Sequence, residues 1–99
     1  MVYFAGMIQS FACVETERIS NGDYSRRLPT QIQAVARRKL RILHAVVKLD
    51  ELRIPPANRL EALKGNRKGQ HSIRINEQWR ICFNWTSSGP GGVEIVDYH

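Results

Sequence analysis

The clearest pattern along the chain is a repeat of apolar residues at helical spacing between positions 29 and 48. These residues recur three or four positions apart, which places them along one stripe of an α-helix. Pro29 suits the start of such a helix, because its fixed φ is already helical. We predict a helix over residues 29–48 with its stripe in the core. The stripe contains Ile32, Val35, Ala36, Leu40, Leu43, Val46 and Val47.

The last third of the chain changes to the two-residue period of β-strands. Residues 70–75, 79–85 and 93–98 are predicted to form three strands. A tight turn is expected at residues 76–77, and a flexible hairpin loop at the glycine-rich residues 87–92. In the middle strand, one face would carry Trp79, Ile81, Phe83 and Trp85, and the other Arg80, Cys82 and Asn84.

The other segments are short and less regular. In chain order we predict a strand at 8–14, a helix at 16–19, a mobile polar loop at 22–27, a helical turn at 50–53, a short turn at 58–63 and a basic loop at 64–69. An N-terminal strand, a helical middle and a three-stranded antiparallel meander indicate a small α+β domain. The 99 residues are expected to form this single domain, and residues 1–6 can be an extension because Met7 is an equally good start.

The charge of the chain is unusual for its ordinary composition. It has 15 Lys and Arg residues against 9 Asp and Glu, a net charge of +6. Much of this excess lies between Arg53 and Arg80, where seven basic residues accompany only Glu61 and Glu77. A polyanion is the natural partner of such a region, although a solvated basic face is the alternative.

Several classes of protein are disfavoured by the composition. No apolar run is long enough to cross a membrane and no signal peptide is visible, so we expect a cytoplasmic protein without a membrane partner. Cys13 and Cys82 lack the spacing of a zinc site and lie in apolar runs, where cysteine behaves as a small core residue. No phosphate-binding glycine motif or metal-ligand cluster is present, so no cofactor or metal is expected.

The C-terminal half contains the groups that RNA cleavage requires. RNA carries its own nucleophile, the 2′-hydroxyl, so a protein needs a base, an acid and cations near the phosphate. Histidine titrates near neutral pH, which makes His99 the best acid or base. Glu61 is a candidate base and Tyr98 a stacking surface for an unpaired base. The candidate phosphate ligands are Lys64, Arg67 and Arg80.

Each of these residues also has a structural interpretation. Arg80 could form an ion pair with Glu94 across the sheet, Tyr98 could border the core, and Glu61 could cap a turn or form a salt bridge. The other two histidines have weaker claims. His71 begins a strand and is interpreted as structural, while His44 lies on the helix face without an evident partner.

Four sequence runs together resemble one known family. They are residues 58–65 (NRLEALKG), 69–76 (GQHSIRIN), 78–83 (QWRICF) and 94–99 (EIVDYH). In this order they are similar to HigB-type killer proteins, which belong to the RelE superfamily of toxins from bacterial toxin–antitoxin systems. The resemblance covers roughly residues 7–99.

This resemblance implies a curved sheet packed on helices and ribosome-dependent, metal-independent cleavage of mRNA. It also implies a HigA-type helix-turn-helix antitoxin, which would contact operator DNA and repress the operon. The terminal Asp, Tyr and His of the family correspond to Asp97, Tyr98 and His99, its strand arginine to Arg80, and its loop lysine to Lys64. Some members have a catalytic histidine where this chain has Glu61, and a carboxylate is a poorer proton donor at neutral pH.

The sequence therefore predicts an mRNA endonuclease toxin that acts on the ribosome. We assign catalysis to His99, Asp97, Tyr98, Glu61 and Arg80, and RNA binding to Lys64, Arg67, Lys68 and Arg59. The alternative is a binding module without catalysis, which would inhibit by occupying RNA or the ribosome.

Overall fold

The computed structural model describes residues 7–98, which form two α-helices and one antiparallel sheet of four strands. The helices are α1 (Val14–Ser20) and α2 (Thr30–Ala45). The strands are β1 (Glu61–Ala62), β2 (Gln70–Arg74), β3 (Trp79–Thr86) and β4 (Gly89–Asp97), and they lie in this order across the sheet. The predicted α+β class, with a curved sheet on helices, is confirmed.

Helix α2 buries most of the predicted apolar stripe, with Ile32, Ala36, Leu40 and Leu43 at most 2% exposed. The inclusion of Val47 in the stripe is wrong, because Val47 lies beyond the end of the helix and is 57% exposed. The helix ends at Ala45, three residues earlier than the predicted Lys48. The carboxylate of Glu51 accepts the backbone N–H groups of Val47 (3.1 Å) and Lys48 (2.8 Å). These bonds start a new 3₁₀ turn, Leu49–Arg53, at the predicted helical turn, so the chain leaves α2 before Lys48.

The predicted flexible loop at residues 87–92 is wrong, because β4 already begins at Gly89. The glycines there mark an irregularity inside the sheet, where the register shifts between Cys82 and Asn84. Gly92 has a φ of +58°, and a Cβ at that position would lie 3.1 Å from the Asn84 amide nitrogen. The run Gly-Pro-Gly-Gly therefore shapes a strand instead of a loop.

The predicted strand at residues 8–14 is replaced by a single parallel bridge between Phe11 and Val93. Backbone bonds from Gln9 N–H to the Pro90 carbonyl (2.8 Å) and from Ala12 N–H to the Val93 carbonyl (3.0 Å) hold this segment against the open edge of β4. Helix α1 begins at Val14, the last residue of the predicted strand. The predicted turn at 58–63 contains the two-residue strand β1.

The polar segment at residues 22–27 is tied to the helices by a buried side-chain network. Ser25 is fully buried, and its hydroxyl donates to the carboxylate of Glu15 at 2.7 Å. The Gln33 amide accepts the Ser25 N–H (3.0 Å) and donates to the Ser25 carbonyl (2.7 Å). The expectation of a mobile loop overlooked these anchors, which satisfy the buried backbone groups of the turn.

One face of the sheet packs on the helices to form the core. It presents side chains that are at most 6% exposed: Ile73, Ile81, Phe83, Val93 and Ile95. The His71 ring stacks on Phe83 with centroids 6.3 Å apart, so this histidine belongs to the core face, as its structural interpretation requires. None of the helices in the described part of the chain is long and apolar enough to cross a membrane.

A buried polar junction ends the helical region and prepares the next segment. Asn58 is fully buried, accepts a hydrogen bond from the Lys39 ammonium, and donates to the Leu52 carbonyl at 3.1 Å. Burial lowers the pKa of Lys39, and the nearby Arg38 charge lowers it further. Because hydrogen bonds to Lys39 and Leu52 fix Asn58, the backbone of the following residue, Arg59, leaves this junction in a defined direction.

Candidate functional site

The second face of the sheet holds a buried arginine, Arg80, at its centre. Strand β3 alternates, so Ile81 and Phe83 enter the core while Arg80 points to the opposite face. Arg80 is only 8% exposed. Its Nε donates to the Ser72 hydroxyl at 2.6 Å, and its Nη2 donates to the Arg59 carbonyl at 2.5 Å. These two hydrogen bonds therefore hold the guanidinium in one orientation.

The two groups that hold Arg80 are neutral, so they orient its charge without compensating it. Ser72 is fully buried on β2, and its direct partner across the β2–β3 ladder is Cys82, two residues after Arg80. Arg59 has a left-handed backbone (φ 45°, ψ 59°) immediately after the Asn58 junction, and its carbonyl accepts from Arg80 there. A guanidinium that neutral groups hold in one orientation is suited to bidentate contact with a phosphate.

The nearest carboxylate to Arg80 belongs to Glu61 on β1. Its Oε1 lies 3.9 Å from Arg80 Nη1, and the Glu61 side chain is 52% exposed. A long, solvent-exposed pair of this kind contributes little to stability. The alternative pairing of Arg80 with Glu94 is wrong, since Glu94 forms its ion pair with Arg67 at 3.3 Å.

Arg80 and Glu61 border an open cleft of about 350 Å³. Three arginines and two glutamates surround it, together with one amide: Arg59, Glu61, Arg74, Asn76, Glu77 and Arg80. A cation at the floor and a carboxylate at the rim are the groups that stabilise a phosphate and remove a nearby proton. In residues 7–98 no group of three or more His, Cys, Asp and Glu side chains could hold a metal ion.

The basic loop after β1 lies at the side of this face. Lys64 and Lys68 are exposed and flank the 3₁₀ turn Gly65–Arg67. Arg67 is partly compensated, because its guanidinium donates to Gln70 Oε1 at 3.0 Å and pairs with Glu94. Its neighbour Cys82 is buried, as predicted; burial raises the pKa of that thiol and keeps it in its unreactive protonated form.

The C-terminal residues leave the sheet beside Arg80. Val96 is the direct cross-strand partner of Arg80, and Tyr98 lies two residues after Val96. Tyr98 is 44% exposed and its N–H donates to the Gln78 carbonyl at 2.6 Å. Asp97 accepts from the Gln78 side chain at 3.1 Å and, by strand alternation, shares the side of Ile95. The predicted catalytic His99 lies outside the described residues.

The structure thus groups some of the predicted residues and separates others. Arg80, Glu61 and Arg59 surround one cleft, and Lys64 and Lys68 lie on the adjacent loop. Asp97, the last residue of β4, and Tyr98, which follows it, do not line this cleft, and Asp97 lies on the Ile95 side of the sheet, opposite Arg80. Sequence reasoning did not assign Ser72 or Arg74 to this site. The signal was present in the alternation of β2, which places both residues on the face opposite Ile73 and Ile75.

Known proteins with similar sequences indicate the family of this chain. A family model described as "RelE-like toxin of type II toxin-antitoxin system HigB" matches residues 10–99. Toxin HigB-1 of Vibrio cholerae serotype O1 is 50% identical over 73 residues, which cover 74% of this chain and 73% of that protein. An uncharacterized protein of Haemophilus influenzae is 34% identical over 67 residues, or 68% of this chain and 66% of that protein.

Proposed function

Since the chain belongs to the HigB-like family of RelE-like toxins from type II toxin–antitoxin systems, we propose that it cuts mRNA on the ribosome at the Arg80 cleft, without a metal ion. RelE-like toxins are ribosome-dependent mRNA endonucleases, and an antitoxin is the partner of a type II toxin. The observation that carries the proposed site is the Arg80 guanidinium, which neutral groups orient beside a carboxylate in an open cleft.

In the proposed reaction the 2′-oxygen of the RNA attacks the adjacent phosphorus. The 2′-oxygen–phosphorus bond forms as the bond to the 5′-oxygen breaks, leaving a 2′,3′-cyclic phosphate and a 5′-hydroxyl. Glu61 takes the proton of the 2′-hydroxyl, and His99 gives a proton to the departing 5′-oxygen. Arg80 and Lys64 stabilise the negative charge that grows on the phosphate oxygens. Asp97 orients His99, and Tyr98 stacks on an unpaired base.

The proposal needs no metal because the substrate and the protein supply each required group. The nucleophile is internal to the RNA, so no water has to be activated. Guanidinium and ammonium groups stabilise the charge on the phosphate, and the Arg80 guanidinium is held in position by the Ser72 hydroxyl and the Arg59 carbonyl. The net charge of the chain, +6, supports a polyanionic substrate.

We further propose a HigA-type helix-turn-helix antitoxin as the partner. Operator DNA would be contacted only through that antitoxin, and the toxin would act in the cytoplasm, where ribosomes and mRNA are found. Co-expression with the neighbouring open reading frame tests this partner. Growth should stop when the toxin is induced alone and continue when both frames are induced.

Glu61 favours a second candidate function, inhibition by occupancy without cleavage. It replaces a histidine found in some members of the family, and a carboxylate is the poorer proton donor. Primer extension on a reporter transcript after induction separates the two functions. New 5′ ends inside translated codons support the nuclease, while arrested growth with intact transcripts supports occupancy.

Changing Glu61 to Gln should lower the cleavage rate about 100-fold, the lower end of the usual contribution of a general base. Glu61→His should retain most of the activity, because imidazole can also accept the proton. Glu77→Gln is a matched control, since Glu77 lines the same cleft. Single-turnover cleavage on programmed ribosomes measures all three. Equal losses for Glu61→Gln and Glu77→Gln would mean that Glu61 acts only through the charge of the cleft.

Neutralising Lys68 should flatten the salt dependence of ribosome binding without moving the cleavage sites. Each lost phosphate contact should reduce the slope of log K against log salt by roughly 0.7–0.9. Arg67→Gln should change the slope less than Lys68→Gln, because Arg67 already pairs with Glu94. Binding is measured at several salt concentrations with a non-cleavable mRNA. An altered cleavage pattern with an unchanged slope would mean that these residues read bases instead.

A further inference from the structure

A second cleft adjoins the Arg80 cleft and has no assigned role. It measures about 340 Å³ and shares Arg74 and Asn76 with the first cleft, so these two residues border both clefts. Its walls combine apolar and basic side chains, with no acidic residue among them: Val35, Arg38, Lys39, Ala57, Arg74, Ile75 and Asn76. The second cleft therefore runs from the sheet onto helix α2.

The charges in this second cleft lack compensation. Arg74 lies directly opposite Arg80 in the β2–β3 ladder, an arrangement in which like charges repel. Within residues 7–98, no carboxylate forms an ion pair with Arg74 or Arg38. The ammonium of Lys39 is bound to Asn58 beneath them, and the Arg38 and Arg74 charges both act on it. An anion in the cleft would relieve this repulsion.

We infer that Arg74 and Arg38 form a second phosphate subsite, which binds the RNA phosphate next to the one at Arg80. This inference rests on the proposed function and names how the same substrate continues past the cut. Residues opposite each other in an antiparallel ladder have Cβ atoms about 5 Å apart, so Arg74 and Arg80 reach neighbouring positions along one strand. Guanidinium groups bind phosphate oxygens as a fork, which fixes the register of the RNA.

The alternative occupant is an acidic segment of the antitoxin. The border shared with the Arg80 cleft favours RNA, because a strand whose scissile phosphate lies at Arg80 must place its next phosphates beside it. The apolar wall of Val35, Ala57 and Ile75 also offers packing for a ribose or a base. An acidic peptide would need no relation to Arg80.

The test uses ribosomes programmed with mRNA that carries a 2′-deoxy nucleotide at the cleavage position and therefore stays intact. In separate mRNAs, each of the three phosphates on either side of that position is replaced by a neutral methylphosphonate. The affinities of the native protein, Arg74→Gln, Arg38→Gln and Arg41→Gln are compared. Arg41 is the matched control, since it is exposed on α2 and lines neither cleft.

One flanking methylphosphonate should weaken binding of the native protein roughly tenfold, the effect of losing one charge-assisted contact. Arg74→Gln and Arg38→Gln should each weaken binding to the unmodified mRNA. Neutralising that same phosphate should then weaken the binding of these variants little further, because the contact has already been lost. Arg41→Gln should behave like the native protein. Arg38 lies outside the sheet, so its variant keeps the test valid if Arg74→Gln does not fold.

The inference is overturned if the effects of the arginine changes and the phosphate changes simply multiply. It is also overturned if the variants bind RNA normally and lose affinity for the antitoxin instead. A failure of the proposed function would be seen separately, as an uncut all-ribose mRNA, because the affinity measurement does not depend on cleavage.

Discussion

Replacing Arg80 with Ala is expected to remove about 2–4 kcal/mol of transition-state stabilisation and so to lower the single-turnover rate of mRNA cleavage. The guanidinium is held by Ser72 and the Arg59 carbonyl, so it meets the growing phosphate charge without first having to reorient. Such a preorganised donor contributes most in the transition state. Arg80→Lys should recover little of the loss, because an ammonium cannot maintain both held contacts and a bidentate phosphate contact.

Ribosome binding distinguishes this role from a structural one. Affinity should fall much less than rate in Arg80→Ala, because the other cations remain. Arg53→Ala is the matched control, since Arg53 forms only an exposed pair with Asp50. A variant that loses thermal stability but cuts at the native rate would show that Arg80 is only a structural residue of the sheet.

Deleting His99 is expected to nearly abolish cleavage while leaving the fold intact. The deletion removes the proposed proton donor. Residues 7–98 account for the helices, the sheet and the Arg80 cleft without it. Single-turnover cleavage and thermal unfolding of the deleted protein measure the two effects separately.

Tags at the two ends provide an independent control for the C-terminal assignment. A C-terminal extension should impair cleavage, because added residues next to His99 would crowd the proposed proton donor. An N-terminal tag should be tolerated. If the deleted protein cuts at the native rate, proton donation must be sought at Lys64 or Glu61.

The parts of the fold that follow a regular period were predictable from sequence. Helix α2 and strands β2 and β3 lie where the apolar spacing placed them, because each buries one side against the core. The errors lie where tertiary contacts decide the conformation. Gly89 and Gly92 are turn-forming residues by composition, but they shape β4, since only the pairing partner reveals the irregularity.

The chemistry of the site was easier to predict than the contacts that position it. Charge and motif indicated Arg80, yet they also allowed an ion pair with Glu94, which the register instead gives to Arg67. Alternation places Ser72 on the face of Arg80, but the hydrogen bonds from Arg80 to the Ser72 hydroxyl and to the Arg59 carbonyl have no sequence signal, because a hydroxyl and a backbone oxygen carry no motif. His44 likewise has an unforeseen partner, the Ile8 N–H, which binds its Nδ1 at 3.1 Å. These contacts join residues distant in sequence.

The chemical identity of the RNA ends after cleavage on programmed ribosomes tests the central claim most directly. Attack by the 2′-oxygen predicts a 2′,3′-cyclic phosphate on the upstream fragment and a 5′-hydroxyl on the downstream fragment, both dependent on Arg80. A 3′-hydroxyl with a 5′-phosphate would contradict the proposed reaction, because it requires attack by water. Intact mRNA on ribosomes saturated with the protein would contradict cleavage itself and leave occupancy as the mode of action.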